Sequence, residues 1–245
     1  MTAWFLERKG LKARALSQRD AYQRARPYPH AVFDGFLGQA RARVLGERFP
    51  GPEHPAWLRR DYAEQSARLG QLQRAGFEGV DPALRHLLAE LSAMAFLDFL
   101  GALTGIDGLI PDPHFRGAGF SLTLPGGHLA LHADFNRDRT RHLERKVTVL
   151  YYLCADWQPE WGGALELWNE ARTEREASYL PELDRLIVMA HGDTFWHGHP
   201  EPLACPEGRY RASVAAYYYV AAPSPDEASS HGAIWALPTA SRSSG

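Results

Sequence analysis

The chain has 245 residues, of which 45% are hydrophobic and 23% are charged, and its net charge is −2. This composition is typical of a globular protein with a large core. The net charge lacks the overall basic character of a nucleic-acid-binding domain, so the sequence excludes that class by charge. No apolar run approaches the ~20 residues that a membrane-spanning helix needs, so we expect neither nucleic acid nor a membrane as a partner.

The N-terminal sequence MTAWFLERKGLKARAL has no continuous apolar segment, so we do not expect a signal peptide. The two cysteines, Cys154 and Cys205, do not form a CxxC pair, which excludes a cysteine-rich zinc site. We therefore expect a protein of the reducing cytoplasm.

Residues 1–112 are predicted to be mostly helical. The clearest helix runs from Ala83 to Leu103, because its apolar residues recur every three or four positions and an Asp81-Pro82 pair precedes them. A second helix is predicted from Arg59 to Gln73. Before both, PYPHAVFDGFLG indicates a short strand followed by a turn.

After residue 113 the pattern changes to short β-rich runs separated by turn residues such as Pro125-Gly126-Gly127. Many short strands at this spacing are typical of a sandwich or an open barrel. The runs are GFSLTL, HLALHADF, KVTVLYYL, ALELW, RLIVMA, TFWHG and RASVAAYYYV.

Helices followed by strands predict an α+β fold with a mainly β core and with the N-terminal helices packed on one sheet. We expect a single domain over residues 1–245. Within it, residues 1–112 form a helical support region, 113–222 the β core and 223–245 a loose C-terminal tail.

The triplet His132-Ala133-Asp134 is the strongest local feature. On a strand, residues two apart point to the same face, so an imidazole and a carboxylate would project side by side. Such a pair supplies two ligands of a metal site. An HxD triplet alone also occurs by chance, where it is only a hydrogen-bonded pair.

A third ligand is available from the later segment TFWHGHPEPL. His197 would complete a site of two histidines and one carboxylate, which leaves coordination positions open and suits non-haem Fe(II) oxygenases. His199 is the alternative, because in an extended segment the two histidines share a face and spacing does not separate them.

Arg211 begins the β-rich run RASVAAYYYV. A guanidinium at the inner end of a barrel strand is costly to bury unless it meets an anion, and its planar fork can bind a carboxylate through two hydrogen bonds. Arg209 is the alternative, although it lies beside a turn. For either residue, a structural salt bridge would be the simpler explanation.

Taken together, HADFN, LYYLCADWQPEWGGALELW and DRLIVMAHGDTFWHGHPEPLACPEGRYRASVAAYYY resemble the prolyl-4-hydroxylase-like branch of the Fe(II)/2-oxoglutarate dioxygenases. The resemblance spans Phe115 to Val220. It implies a double-stranded β-helix, a jelly-roll or cupin-like fold whose larger sheet carries the N-terminal helices.

The resemblance also implies roles for individual residues. It makes His132, Asp134 and His197 the iron ligands, and its HG-x-Pro pattern favours His197. Arg211 would bind the distal carboxylate of 2-oxoglutarate. Tyr152 would bind the same carboxylate, with Tyr151 as the alternative if the register shifts by one residue.

The implied cofactors are Fe(II), the cosubstrate 2-oxoglutarate and O₂, with ascorbate as an optional reductant. Related hydroxylases often carry a tyrosine on the strand before the HxD triplet, where this chain has Leu124. Because Asp134 retains the carboxylate that related halogenases lack, hydroxylation is favoured over halogenation.

The expected substrate is a small molecule or a peptide: a proline, a prolyl peptide, another amino acid or a small metabolite. Two other functions are open. One is a cupin-like metalloenzyme that does not use 2-oxoglutarate, for which Arg211 would have no purpose. The other is a non-catalytic binding barrel, which the complete ligand triad argues against.

Overall fold

The computed structural model describes residues 5–6, 8–70, 77–112, 114–115, 118–222 and 230–236. The helices are α1 (Arg8–Arg24), α2 (Gln39–Glu47), α3 (Pro82–Leu91) and α4 (Met94–Thr104). The strands are β1 (His30–Phe33), β2 (Leu58–Tyr62), β3 (Gln65–Gly70), β4 (Ile110–Pro111), β5 (Gly119–Ala133), β6 (Arg137–Asp138), β7 (Leu143–Tyr152), β8 (Leu165–Trp168), β9 (Arg175–Tyr179), β10 (Arg185–Ala190), β11 (Trp196–His199), β12 (Arg211–Ala221) and β13 (Ile234–Trp235).

The strands pair antiparallel in the order β1-β10-β7-β12-β5-β11-β8-β9. The long strand β5 belongs to both halves of this curled sheet, because residues 119–123 pair with β12 whereas Leu129 and His132 pair with β11. Between these regions lies Pro125-Gly126-Gly127, where Gly126 adopts a φ of 75° that favours glycine. The fold is therefore the predicted α+β, mainly β double-stranded β-helix.

The helices cover the outer face of the larger half-sheet, as predicted. Phe99 of α4 lies 5.2 Å from Phe33 of β1 and 5.6 Å from Phe36, measured between ring centroids. Phe96 lies 5.9 Å from Tyr218 of β12, whose hydroxyl donates a hydrogen bond of 2.8 Å to the carbonyl of residue 91 in α3. Because helices and sheet share this hydrophobic cluster, we propose that residues 1–245 form one domain.

The predicted helix from Arg59 to Gln73 is wrong within the described residues. Its residues form the hairpin of β2 and β3, and residues 71–73 lie outside the described part. The reason is a long-range contact that the local pattern does not contain: β3 pairs with β5, with Leu69 opposite Leu122. Such pairing overrides a weak helical preference.

The predicted helix from Ala83 to Leu103 is two helices that meet at an angle of 45°. Its start is confirmed, because the Asp81 side chain accepts a hydrogen bond from the Ala83 amide and proline follows. The helix breaks at Ala93, whose backbone is extended and cannot continue the helical hydrogen-bond ladder. No single described helix is long and apolar enough to cross a membrane, although α3 and α4 together pass that test by length and composition.

The C-terminal tail is not loose over residues 230–236. There β13 pairs with β5, with Trp235 opposite His132, and the Ala236 amide donates a hydrogen bond of 2.8 Å to Leu131. Residues 223–229 and 237–245, on which the rest of this prediction falls, lie outside the described residues.

We predict that Phe99→Ala destabilises the protein by about 3–5 kcal/mol, because the side chain is fully buried among aromatic rings and its removal leaves a cavity. Urea unfolding followed by circular dichroism measures the change. The matched control is Met94→Ala on the same helix, where the side chain is 62% exposed and the change should stay within about 0.5 kcal/mol. Equal effects of the two substitutions would contradict this packing.

Candidate metal centre

Two histidines and one carboxylate meet where β5 pairs with β11; we call His132, Asp134 and His197 the candidate metal centre. His132 stands directly opposite His197 in the antiparallel pair. The Nε2 atom of His132 lies 3.6 Å from Oδ1 of Asp134, and Nε2 of His197 lies 3.5 Å from Oδ2. One ligand atom from each residue lies within 4.8 Å of the others, a spacing that a single metal ion can bridge.

Both imidazoles are held in the tautomer that a metal ligand needs. Nδ1 of His132 lies 2.9 Å from the carbonyl of Ala130, and Nδ1 of His197 lies 3.1 Å from the carbonyl of Phe195. Because a carbonyl only accepts hydrogen bonds, each Nδ1 carries the proton and each Nε2 directs a lone pair at the centre. Burial and the neighbouring His197 ring lower the pKa of His132, which keeps that imidazole neutral.

His199, the alternative third ligand, lies outside this group of ligand atoms. A register shift between His197 and His199 interrupts the regular alternation of β11, so the two rings are not equivalent. His199 is 2% exposed, and neither of its ring nitrogens has a hydrogen-bond partner among the described residues. The geometry favours His197.

Arg145 supports the carboxylate of the centre. Its Nη2 donates to Oδ2 of Asp134 at 2.6 Å and to Oγ1 of Thr148 at 2.8 Å, and its guanidinium carbon lies 3.3 Å from the centroid of the Tyr217 ring. Burial alone would raise the pKa of Asp134, but the positive charge of Arg145 together with the neighbouring His132 and His197 outweighs burial and holds that pKa well below its usual range. Asp134 is therefore ionised and its orientation is fixed.

Arg145 was not predicted from the sequence, and its position explains why. Val147 stands opposite Tyr218 in the β7–β12 pair, whereas Arg145 stands opposite Tyr219, so β7 holds one extra residue, Lys146, at this point. Such a bulge inverts the alternation of side chains between the two faces. Counting backwards from Tyr152 therefore assigns Arg145 to the wrong face.

Arg211 lies inside the same cavity and is 5% exposed. Its Nη2 donates to the Tyr152 hydroxyl at 2.9 Å, and its Nε donates to the carbonyl of Gly163 at 2.7 Å. Both acceptors are neutral. The one acidic residue among the described residues that line the cavity, Asp134, pairs with Arg145. Arg211 is thus ready to bind an anion from outside the chain.

The two alternatives for this anion site lie elsewhere. The Tyr151 hydroxyl donates to Asp184 at 2.8 Å within the hydrophobic cluster that contains the helices. Nη2 of Arg209 donates to the carbonyl of Ala155 at 2.6 Å, and its guanidinium lies 5.1 Å from the centroid of the Trp161 ring. Arg209 does not line the cavity, and Arg211 donates its hydrogen bond to the Tyr152 hydroxyl rather than to that of Tyr151.

The strand before the His-Ala-Asp triplet brings hydroxyl groups to this region instead of a tyrosine. Leu124 packs against the main hydrophobic cluster. Thr123 stands opposite Arg211 in the β5–β12 pair, and its buried Oγ1 has no hydrogen-bond partner among the described residues. Ser121 lines the cavity.

The C-terminal segment closes one side of the cavity, which has a volume of about 240 Å³. The Trp235 ring lies 5.0 Å from the His132 ring, measured between centroids. The His231 amide donates to Oδ1 of Asn136 at 3.1 Å, just after the His-Ala-Asp triplet. Nothing in the polar sequence of the tail predicts this contact, because it depends on β5 offering a free pairing position.

These groups suit a divalent iron and a dicarboxylic acid. Two imidazoles and one carboxylate leave further coordination positions open, as in non-haem Fe(II) sites. A buried guanidinium with only neutral partners suits a carboxylate group. The cavity therefore fits Fe(II) at the candidate metal centre and 2-oxoglutarate between that centre and Arg211.

Comparisons with known proteins agree with this interpretation. The profile of the 2OG-Fe(II) oxygenase superfamily matches residues 118–219. Comparison with curated protein sequences finds no significant match.

Several solved structures share the fold. A prolyl hydroxylase from Trichoplax adhaerens, in complex with a hypoxia inducible factor oxygen degradation domain peptide fragment, is 17% identical with a TM-score of 0.59 over 86% of this chain and 90% of its own. A prolyl-4-hydroxylase from Pseudomonas putida is 19% identical with a TM-score of 0.57 over 86% and 98%. A prolyl 4-hydroxylase from Phytophthora capsici is 17% identical with a TM-score of 0.53 over 91% and 69%. At these identities the likeness concerns the fold.

We predict that Arg145→Met weakens the binding of a divalent metal by roughly 10- to 100-fold, because Asp134 loses the group that keeps it ionised and oriented. Titration with Co(II), followed by visible absorption, measures the affinity. Lys146→Met is the matched control, because Lys146 pairs with Glu144 and is 34% exposed. Unchanged Co(II) affinity in a folded Arg145→Met variant would contradict this role.

Proposed function

Since residues 118–219 of this chain match the profile of the 2OG-Fe(II) oxygenase superfamily, we propose that the protein hydroxylates an aliphatic C–H bond of a proline, a prolyl peptide, another amino acid or a small metabolite. The protein is an oxygenase that depends on Fe(II) and 2-oxoglutarate. When bound, these groups supply the oxidising chemistry, in which O₂ and 2-oxoglutarate are consumed, succinate and CO₂ are released and one oxygen atom enters the C–H bond.

One observation carries the proposal: the candidate metal centre and Arg211 line one small cavity, and Arg211 donates a hydrogen bond to the Tyr152 hydroxyl. We propose that His132, Asp134 and His197 hold the iron through two Nε2 atoms and a carboxylate oxygen. We further propose that Arg211 and Tyr152 bind the distal carboxylate of 2-oxoglutarate. This arrangement would orient the keto acid end of the cosubstrate towards the metal.

The remaining residues of the site orient these groups and exclude water. Arg145 holds the Asp134 carboxylate, and the carbonyls of Ala130 and Phe195 hold the imidazole rings. The Trp235 ring beside His132 covers one side of the cavity. Fixed ligands and a dry, closed cavity are the contribution that a protein makes to such chemistry.

The proposal for the substrate names a chemical class and no single compound. A proline or prolyl peptide is proposed by analogy with the prolyl hydroxylases that share the fold, and fold alone does not fix the substrate. Hydroxylation rather than halogenation is proposed because Asp134 keeps a carboxylate at the metal. The cytoplasmic location stays a prediction from the sequence.

A cupin-like metalloenzyme without 2-oxoglutarate is the alternative function. It would use the candidate metal centre but would leave Arg211 buried with neutral partners only. Because an unbalanced buried charge is costly, the position of Arg211 favours the dioxygenase.

We predict that His132→Ala and His197→Ala abolish the conversion of 2-oxoglutarate to succinate, with a loss of about 100-fold or more, because each removes a metal ligand. His199→Val should keep the metal affinity of the unchanged protein. Succinate release and bound iron are measured together, with circular dichroism to verify folding. Turnover retained in His197→Ala, or metal lost in His199→Val, would assign the third ligand to His199 instead.

We predict that Arg211→Gln raises the 2-oxoglutarate concentration needed for half-maximal turnover by about 10- to 100-fold, because charge-assisted hydrogen bonds to the cosubstrate are lost. Iron affinity should be unchanged. The matched control is Arg209→Gln, two positions earlier on the outside of the barrel, which should leave that concentration within about twofold. An equal effect of both substitutions would contradict the assignment of Arg211 to the distal carboxylate.

A further inference from the structure

A second guanidinium, that of Arg68, lies inside the cavity of the candidate metal centre. Its Nη1 donates to Oε1 of Gln65 at 2.9 Å, and its Nη2 donates to Oγ of Ser121 at 2.9 Å. Its buried Nε has no hydrogen-bond partner among the described residues. These partners are neutral, so they do not balance the positive charge of Arg68.

The backbone of β3 directs Arg68 into the cavity. Arg68 stands opposite Thr123 of β5, and the register shifts between Ser66 and Arg68. At this bulge Ala67 adopts a φ of 47°, a backbone conformation that residues other than glycine rarely adopt. Bulges next to active sites commonly redirect a side chain. The hairpin of β2 and β3 is thus shaped to present this arginine.

The cavity has an excess of positive charge. Among the described residues that line it are three arginines, Arg60, Arg68 and Arg211, and one acidic residue, Asp134. Burial, followed by the nearby charge of Arg211, lowers the pKa of Arg68 to about 10, which still leaves it charged at neutral pH. Two cations so close together in a cavity favour the binding of anions.

The cosubstrate does not remove this excess. Fe(II) carries two positive charges and 2-oxoglutarate two negative charges, so together they leave the charge of the cavity unchanged. Arg211 takes the distal carboxylate in the proposed function, and Arg68 remains for a further anion. We propose that Arg68 binds a carboxylate of the substrate, so that the enzyme acts on a small carboxylic acid, in particular a free amino acid.

This inference rests on the proposed function and narrows its substrate from amino acids and peptides in general to molecules with a free carboxylate. A carboxylate fits best because the planar guanidinium can bind its two oxygens side by side. The cavity volume of about 240 Å³ is small beside the roughly 300–1,000 Å³ of most ligand pockets, which suits a small acid. A residue within a peptide has no carboxylate of its own main chain to offer.

The test compares acids with their amides. The anaerobic complex of the protein with Fe(II) and 2-oxoglutarate is titrated by calorimetry with the free L-amino acids and with the matching amino acid amides. The same titrations are made with capped prolyl peptides and with the variants Arg68→Gln and Arg68→Lys. Arg59→Gln is the matched control, because Arg59 lies on the neighbouring strand, pairs with Asp61 and is 59% exposed.

We expect at least one free amino acid to bind about tenfold or more tightly than its amide. Arg68→Gln should remove that difference, Arg68→Lys should restore part of it, and Arg59→Gln should keep it. The affinity for 2-oxoglutarate, read from the visible absorption of the Fe(II) complex, should stay within about twofold in all of them. The comparison of acid with amide needs no variant, so it holds even if Arg68→Gln fails to fold.

Three results would overturn the inference while leaving the proposed function intact: no acid binds, an amide or capped peptide binds as tightly as the acid, or Arg68→Gln weakens 2-oxoglutarate binding as strongly as Arg211→Gln. The last would make Arg68 a cosubstrate residue. If the unchanged protein with Fe(II) gives no visible absorption on addition of 2-oxoglutarate, the proposed function fails and the inference fails with it.

Discussion

The pairing of β5 with β11 is the interaction on which the site depends. It sets His132 opposite His197 across two antiparallel strands that are distant in sequence, and Asp134 follows at the end of β5. Backbone hydrogen bonds determine the distance between such residues to a fraction of an ångström. The sheet therefore sets the relative position of the two histidines, and Asp134, just beyond the strand, is held by its ion pair with Arg145.

The interior of the barrel combines this geometry with an unusual distribution of charge. Arg145 balances Asp134 behind the candidate metal centre, so one guanidinium is neutralised within the chain. Among the described residues, Arg211 and Arg68 have only neutral hydrogen-bond partners. Buried charge without a counter-ion is destabilising. The two arginines therefore lower the stability of the protein without a ligand and raise its affinity for acids. Arg145 thus supports the site from within, whereas Arg211 and Arg68 are available to bind ligands.

The sequence predicted those parts of the protein that depend on local pattern. The Asp81-Pro82 helix start and the strand-turn periodicity after residue 113 are local signals, and they correctly indicated the α+β fold. The family resemblance added the double-stranded β-helix. The structure brings all five candidate residues of the site to one region, although their roles stay proposals.

What the sequence missed depends on long-range pairing or on bulges. The local pattern predicts a helix where the structure has the β2–β3 hairpin. The hairpin depends on the pairing of β3 with β5, which lies about 50 residues later, at Leu122. Arg145 and Arg68 both lie next to bulges, where simple alternation between faces fails. The strand β9 (Arg175–Tyr179) was not predicted, because its sequence is mostly polar and its residues are exposed or half-buried.

The short strand β13 has a further consequence for how a ligand can approach. By pairing beside Ala133 and His132, it occupies the backbone groups of β5 next to the candidate metal centre. Many peptide-binding proteins capture an extended partner by adding it as a strand to such an edge. Here the chain's own C-terminal segment already fills that place, so a peptide would have to compete with it, whereas a compact metabolite entering the cavity would not.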